Sequence, residues 1–151
     1  MHYDDPVDVL VVEDSESERN SIVEVLQATL PDIQVVAFDN GTAALDFLFG
    51  RGDWTGRVAE DSPSLIMLDL SLPGEDGFFM LGQIRSHGAE DALTLTPVVI
   101  FSDSQDPGDI TMSRRCGANS YVTKPLRYSE FQTAVKSIGQ YWMTRNRACL
   151  Q

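Results

Sequence analysis

Four short segments of this 151-residue chain each run into a side chain able to do chemistry. VDVLVV (7–12) leads into Glu13 and Asp14, LIML (65–68) into Asp69, PVVIF (97–101) into Ser102, and SYVT (120–123) into Lys124. A carboxylate that closes so apolar a run as LIML costs free energy unless it is paired or neutralised. Asp69 therefore either sits where a strand surfaces or faces something cationic. If these segment ends converge, the carboxylates repel one another and stay ionised only with a cation among them. Carboxylate, carbonyl and water oxygens suit Mg²⁺, which keeps waters and takes one or two protein carboxylates. Lys124 adds a second positive charge and Ser102 a hydroxyl donor. A divalent ion, an ammonium and a hydroxyl around one carboxylate make a site for a phosphoryl group. Asp69 would be the nucleophile and form an acyl phosphate, with the metal and Lys124 offsetting charge on the transferring oxygens.

The elements that must place these residues can be read from the pattern. Short β-branched runs alternate with helix-period segments, which argues for parallel βα units. Strands are predicted at 7–12, 33–38, 65–70, 97–102 and 120–124. In SESERNSIVEVLQATLP, Ile22, Leu26 and Leu30 recur at four-residue spacing, Ser15 and Glu18 read as a capping box, and Pro31 stops the helix. Asn40 caps a second helix through about Leu48, with Gly50 and Gly52 ending it. A third helix runs from about Asp76 to Ser86 with Phe78, Leu81 and Ile84 inward. The segment 105–117 is a poor fourth helix, with Pro107 and Gly108 near its start and few apolar anchors. A fifth follows the capping box Ser129/Gln132 and sets Phe131, Val135, Ile138 and Trp142 on one face. Tyr141, Trp142 and Met143 stand in a row, so at least one faces outward. The stretch 50–64 is a long polar loop. Five strands and five helices in alternation predict a doubly wound α/β sheet, whose sites lie beyond the carboxyl ends of the strands at a topological switch point. Glu13, Asp14, Asp69, Ser102 and Lys124 would then share one crevice.

Taken together, VVED, MLDLSLPGEDG, VVIFSDS and YVTKP resemble the receiver domain of two-component response regulators, over about residues 7–142. The resemblance implies a flavodoxin-like sheet of order 2-1-3-4-5 and a single domain over 1–151, with a tail from 143. It makes Asp69 the phosphoacceptor, Asp14 a direct Mg²⁺ ligand, Glu13 a ligand mostly through water, and the backbone carbonyl of Ser71 a third ligand. Ser102 and Lys124 would contact the phosphoryl group, and Tyr121 would be the aromatic switch that swings inward when Ser102 engages it. Lys124-Pro125 matches a bond that is often cis. The donor would be a phosphohistidine on a sensor histidine kinase, transfer would be self-catalysed, and autodephosphorylation slow. The long loop before LIMLD, the lack of an output domain and the ending YSEFQTAVKSIGQYWM further resemble stand-alone receivers partnered with cyanobacterial phytochrome and bacteriophytochrome kinases. Receivers of this kind often form homodimers through the fourth helix, fifth strand and fifth helix.

Ser102 stands where Thr is more usual. Asp103 stands where a small uncharged residue is usual, which puts the lifetime of the phosphorylated state in question. Ser71 and Ser104 occupy positions that tune hydrolysis in the family. Each residue alone has a plainer role: Glu13-Asp14 as helix-start acids, Asp69 as a strand-end cap, Ser102 as a strand terminator, Lys124 as a solvated loop residue, Tyr121 as core. Their conjunction at successive strand ends favours the site. Haloacid dehalogenase-type hydrolases also use a strand-end Asp and Mg²⁺, but resemble a pattern with a second Asp two residues on, where this chain has Ser71. A degenerate, non-phosphorylated receiver is opposed by the intact acid pair, Asp69, Ser102 and Lys124. With 11 basic and 23 acidic residues the net charge is −12, which opposes direct binding to nucleic acid or an anionic membrane. No signal peptide or membrane-length apolar run is evident. Cys116, Cys149, His2 and His87 show no ligand spacing, and a reducing cytoplasm is the expected setting.

Overall fold

Each predicted strand forms, trimmed by a residue or two: β1 (Val9–Val12), β2 (Val35–Phe38), β3 (Leu65–Leu68), β4 (Val98–Ser102) and β5 (Ser120–Thr123). In the computed structural model, which describes residues 6–57, 62–74, 76–86 and 92–149 and side chains as far as Thr144, they pair in parallel in the order β2-β1-β3-β4-β5. His2, His87 and the side chain of Cys149 lie outside the described residues. β1, β3 and β4 are buried along their whole length, as central strands covered on both faces must be, which is why they read as unbroken apolar runs. Their side chains alternate. Leu10, Val12, Ile66, Leu68, Val98 and Ile100 enter one core cluster. Val9, Val11, Leu65, Met67, Val99 and Phe101 enter the other.

Among the described residues there are six α-helices against the five expected: α1 (Glu16–Thr29), α2 (Gly41–Phe49), α3 (Gly77–Arg85), α4 (Ala92–Leu95), α5 (Pro107–Arg115) and α6 (Tyr128–Cys149). The extra one, α4, is a single turn too short to show a period. It is held by tertiary contacts: Leu93 is buried, and the Arg85 guanidinium donates to the Thr94 and Thr96 carbonyls at 2.6 and 2.8 Å. The predicted fourth and fifth helices are thus α5 and α6. Asn40 caps α2 through a bond from the Ala43 amide at 2.8 Å, and Gly50 closes it in the left-handed region. Ser129 lies inside the first turn of α6 rather than ahead of it. The same helix continues to Cys149, past the boundary expected at 142. Phe131, Val135 and Ile138 are buried as expected, but Met143 is buried more fully than Trp142, and Tyr141 is the member of that trio that faces outward.

The loop after α2 is less polar in its packing than in its composition. A 3₁₀ turn at Gly52–Trp54 sets the Trp54 ring edge-on to Phe47, with centroids 4.8 Å apart. The buried Arg57 guanidinium stacks over the same Phe47 ring at 3.9 Å. No described peptide bond is cis, so Lys124-Pro125 takes the trans form that even proline favours.

Two glycines of α3 should respond oppositely to alanine. A Cβ at Gly77 would lie 2.7 Å from the Asp69 carbonyl oxygen and 2.8 Å from the Leu70 Cα, whereas one at Gly82 meets nothing within 4 Å. Gly77 therefore lets α3 start directly against the end of β3. Gly77→Ala is expected to destabilise by about 1–3 kcal/mol through overpacking, and Gly82→Ala to stabilise by about 0.5–1 kcal/mol. Urea denaturation checks the pair, and equal signs would refute the close approach.

Candidate functional site

The sheet order decides which strand ends meet. β3 lies between β1 and β4, and the register sets Val12 beside Leu68 and Leu68 beside Ile100. One residue further on, the ladder still holds. The Asp69 amide donates to the Val12 carbonyl at 3.1 Å, the Glu13 amide to the Phe38 carbonyl at 3.0 Å, and the Lys124 amide to the Ser102 carbonyl at 2.8 Å. The chemistry-bearing residues thus sit on backbone fixed by the sheet, not on free loops. β1 hands its chain to one side of the sheet and β3 to the other, which opens the crevice between them.

Lys124 is the centre of that crevice. Its side chain is about 2% exposed, and its ammonium bonds the Glu13 carboxylate, Asp69 Oδ2 at 2.8 Å and Glu18 Oε2 at 2.7 Å. Burial alone pulls the ammonium down, but the bonds to Asp69, Glu13 and Glu18 outweigh it and hold Lys124 above the usual lysine range. The other oxygens are placed as well. Asp69 Oδ1 accepts from the Ser71 amide at 3.2 Å, and Glu13 Oε2 accepts from the Ser15 amide at 3.1 Å. Burial and the adjacent Asp69 charge push the Glu13 carboxyl up to about 8 against the opposing pull of Lys124.

Carboxylate oxygens of Glu13, Asp14 and Asp69 all lie within 4.8 Å of one another. Asp14 is exposed while the other two are buried. Glu13, Glu18 and Asp69 bond the one ammonium and Asp14 lies beside Glu13 and Asp69, so the group carries a formal charge of −3. The set fits a hard divalent ion: it is all oxygen, it is open to water on the Asp14 side, and it carries uncompensated negative charge. Glu13, Asp14 and Asp69 are the side chains that would hold it.

The remaining expected residues border this centre. Ser102 is buried at the end of β4, in register with Thr123 just before Lys124, and its Oγ accepts from the Ser104 amide at 3.3 Å. Ser71 meets Asp69 through its N–H. Tyr121 stands apart from the carboxylates, half-buried on β5, and its hydroxyl donates to the Ser104 carbonyl at 2.7 Å. Asp103 is exposed, which leaves its extra charge to water and salt screening. Glu18 was missed. Its position, three after Ser15, read as the return half of a capping box. Ser15 does cap α1, accepting from the Glu18 amide at 3.4 Å, but the Ser15 amide is satisfied by Glu13 and the Glu18 side chain turns to Lys124 instead.

Residues 9–136 match the response regulator receiver domain family. The chain is 30% identical over 138 residues to Response regulator Rcp1 of Synechocystis, covering 91% of this chain and 90% of that protein. It is 30% identical over 148 residues to a probable methanogenesis regulatory protein, FilR2, of Methanothrix harundinacea, covering 98% of this chain and 91% of that one. Among solved structures it superposes on the Mn²⁺-bound form of Rcp1 with a TM-score of 0.81 at 31% identity, covering 91% of this chain and 94% of that one. The phosphorylated cyanobacterial phytochrome response regulator RcpA gives 0.83 at 30% identity, covering 93% and 96%. With the sheet order, the acidic crevice and these matches in agreement, the chain belongs to the response regulator receiver domain family.

Proposed function

We propose that this chain works as a response regulator through a single receiver domain with its core over 7–142. It takes a phosphoryl group on Asp69 from a phosphohistidine of a sensor histidine kinase and passes the signal through protein contacts in the cytoplasm. The observation that carries this reading is the set around Asp69: Oδ2 on the Lys124 ammonium, Oδ1 on the Ser71 amide, and Glu13 and Asp14 within metal-sharing distance. A carboxylate oriented by two donors, beside acidic groups that fit a divalent ion, supports the reading of in-line attack on phosphorus. The Asp69 oxygen forms the new O–P bond as the P–N bond to the donor imidazole breaks, and the imidazole nitrogen keeps the electron pair. Mg²⁺ held by Glu13, Asp14, Asp69 and the Ser71 carbonyl would supply positive charge to the phosphoryl oxygens. Lys124 and the Ser102 hydroxyl would take the oxygens the metal does not. A phytochrome kinase as the donor is supported by the likeness to Rcp1 and to RcpA, whose structure is that of a phosphorylated phytochrome response regulator.

For the output we infer a homodimer through α5, β5 and α6, with Tyr121 as the switch. β5 is an edge of the sheet. The exposed Tyr141 lies with Trp142 along a groove bounded by Asn119, Ser120 and Val122. α5 buries a single residue, Ser113, so it is lightly anchored and suited to move.

Asp69→Asn keeps the shape but cannot form an acyl phosphate. It is expected to fold and to take up no phosphate from acetyl phosphate, while the parent acquires one stable phosphate in the presence of Mg²⁺. Continuous phosphate release by the parent would instead indicate a phosphatase, and no labelling at all a degenerate module. Asp14→Ala is expected to lose most Mg²⁺ affinity while the metal-free protein melts at a higher temperature, because like charges are relieved; unchanged Mg²⁺ binding in a titration would mean the ion is held elsewhere. Sedimentation at micromolar concentration is expected to show a dimer whose affinity changes on phosphorylation and falls in Tyr141→Ala. A monomer in every state would leave a one-to-one partner contact as the output.

A further inference from the structure

An ammonium has three N–H donors and no acceptor, and in Lys124 all three are engaged, by Glu13, Glu18 and Asp69. If Asp69 becomes an acyl phosphate, the same ammonium must donate to a phosphoryl oxygen, so one carboxylate has to leave it. The three are not equally free to go. Glu13 is 1% exposed and is also tied to the Ser15 amide. Asp69 is the reacting group, 5% exposed and tied to the Ser71 amide. The Glu18 side chain is 34% exposed, and among the described residues its carboxylate bonds Lys124 alone.

Glu18 also has a place to go. Beside it, between α1 and the segment that joins β5 to α6, lies a groove bordered by Ser17, Ser21, Pro125, Leu126 and Tyr128. Ser21 stands one turn along α1 from Glu18, within reach of its side chain, and its hydroxyl lies 3.5 Å from that of Tyr128. The two hydroxyls offer donors to a carboxylate that swings away from the crevice.

We propose that Glu18 is a positioning residue for phosphoryl transfer: it holds the Lys124 ammonium over Asp69 at rest, and the incoming phosphoryl group displaces it toward the Ser21–Tyr128 groove. This rests on the reading of Asp69 as phosphoacceptor. Glu18 acts against the reaction twice, by occupying a donor that the phosphoryl oxygens need and by adding one formal negative charge to a crevice that an anionic donor must enter. Its removal therefore favours phosphoryl binding. Glu13 and Asp69 still hold the ammonium, and the carboxylates that would hold the metal are untouched.

The test uses the full chain and acetyl phosphate. An Asp69 oxygen attacks phosphorus, the O–P bond forms as the bond from phosphorus to the acetate oxygen breaks, and acetate leaves with the electron pair. Initial rates are measured against donor concentration at saturating Mg²⁺ for the parent, Glu18→Gln and Glu18→Asp, with Mg²⁺ affinity titrated separately. Glu18→Gln is expected to raise the rate at limiting donor about two- to fivefold, the factor corresponding to a half-exposed ion pair, and to tighten beryllofluoride binding by a similar factor. Mg²⁺ affinity should change less than either. Glu18→Asp retains the charge and should stay close to the parent. The idea fails if a parent that does label matches or outpaces its Gln variant, if Asp is as fast as Gln, or if the whole effect appears in Mg²⁺ affinity. Ser21→Ala combined with Tyr128→Phe provides a second reading, since without the groove hydroxyls displacement is harder and the rate should fall; an unchanged rate counts against the proposal. If the parent itself takes no phosphate, the assignment of Asp69 fails and the role of Glu18 falls with it, an outcome distinct from a parent that labels and matches its Gln variant.

Discussion

A single buried ammonium sets the terms for this fold. Lys124 is 4% exposed, and a charge so buried is tolerated only with close, well-aligned partners. Its partners come from three separate places in the chain: Glu13 after β1, Glu18 on α1 and Asp69 after β3. They meet only if β5 ends level with β4 and β4 level with β3, and if α1 begins immediately beyond β1. The parallel ladder continues one residue past the strands at Glu13, Asp69 and Lys124, so the ion cluster and the sheet edge are one construction. The cluster is deliberately unbalanced. One ammonium does not neutralise the carboxylates around it, and burial first, with the Asp69 charge after it, pushes the Glu13 carboxyl up. A divalent cation relieves this crowding.

What was legible in the sequence follows from the same geometry. Central strands of a covered parallel sheet must be apolar on both faces, so β1, β3 and β4 announced themselves, and so did the polar residue where each one surfaced. Their sequence order alone does not give the sheet order, but the alternation with helices left few arrangements. Asn40, Gly50 and Asp76 were readable because a cap is a local bond between near neighbours. The Asp76 side chain, for instance, accepts from the Phe79 amide at 2.8 Å.

What was not legible depends on partners distant in sequence. α4 exists because Arg85, on α3, collects the Thr94 and Thr96 carbonyls and also reaches the Gly117 carbonyl and the Asn119 side chain. No window of four residues contains that information. Arg57 looked like part of a polar loop because its aromatic platform, Phe47, belongs to another element. Glu18 is the sharpest case. Locally it had a plausible task, closing a capping box, and a lysine 106 residues away took its carboxylate instead. The exchange cost the helix little, since Glu13 satisfied the Ser15 amide that Glu18 left. Tertiary electrostatics override a capping preference most easily when a substitute acceptor is already at hand.

Ser104 ties the edge of the crevice to two surface elements. Ser104 donates its amide to Ser102 Oγ, donates its hydroxyl to Asp109 Oδ2 on α5 at 2.6 Å, and accepts the Tyr121 hydroxyl on its carbonyl. A strand end, a helix and an aromatic side chain are thus tied at a single residue. The Ser102 hydroxyl has one proton to give, and turning it toward an anion in the crevice changes how its oxygen meets the Ser104 amide. α5 has little to resist such a shift, with Ser113 its one buried side chain, whereas β4 beneath it is buried throughout. Ser102 is therefore anchored more lightly on the α5 side than on the side of the sheet. A buried sheet that fixes the site and a lightly held helix beside it meet, in this chain, at Ser102 and Ser104.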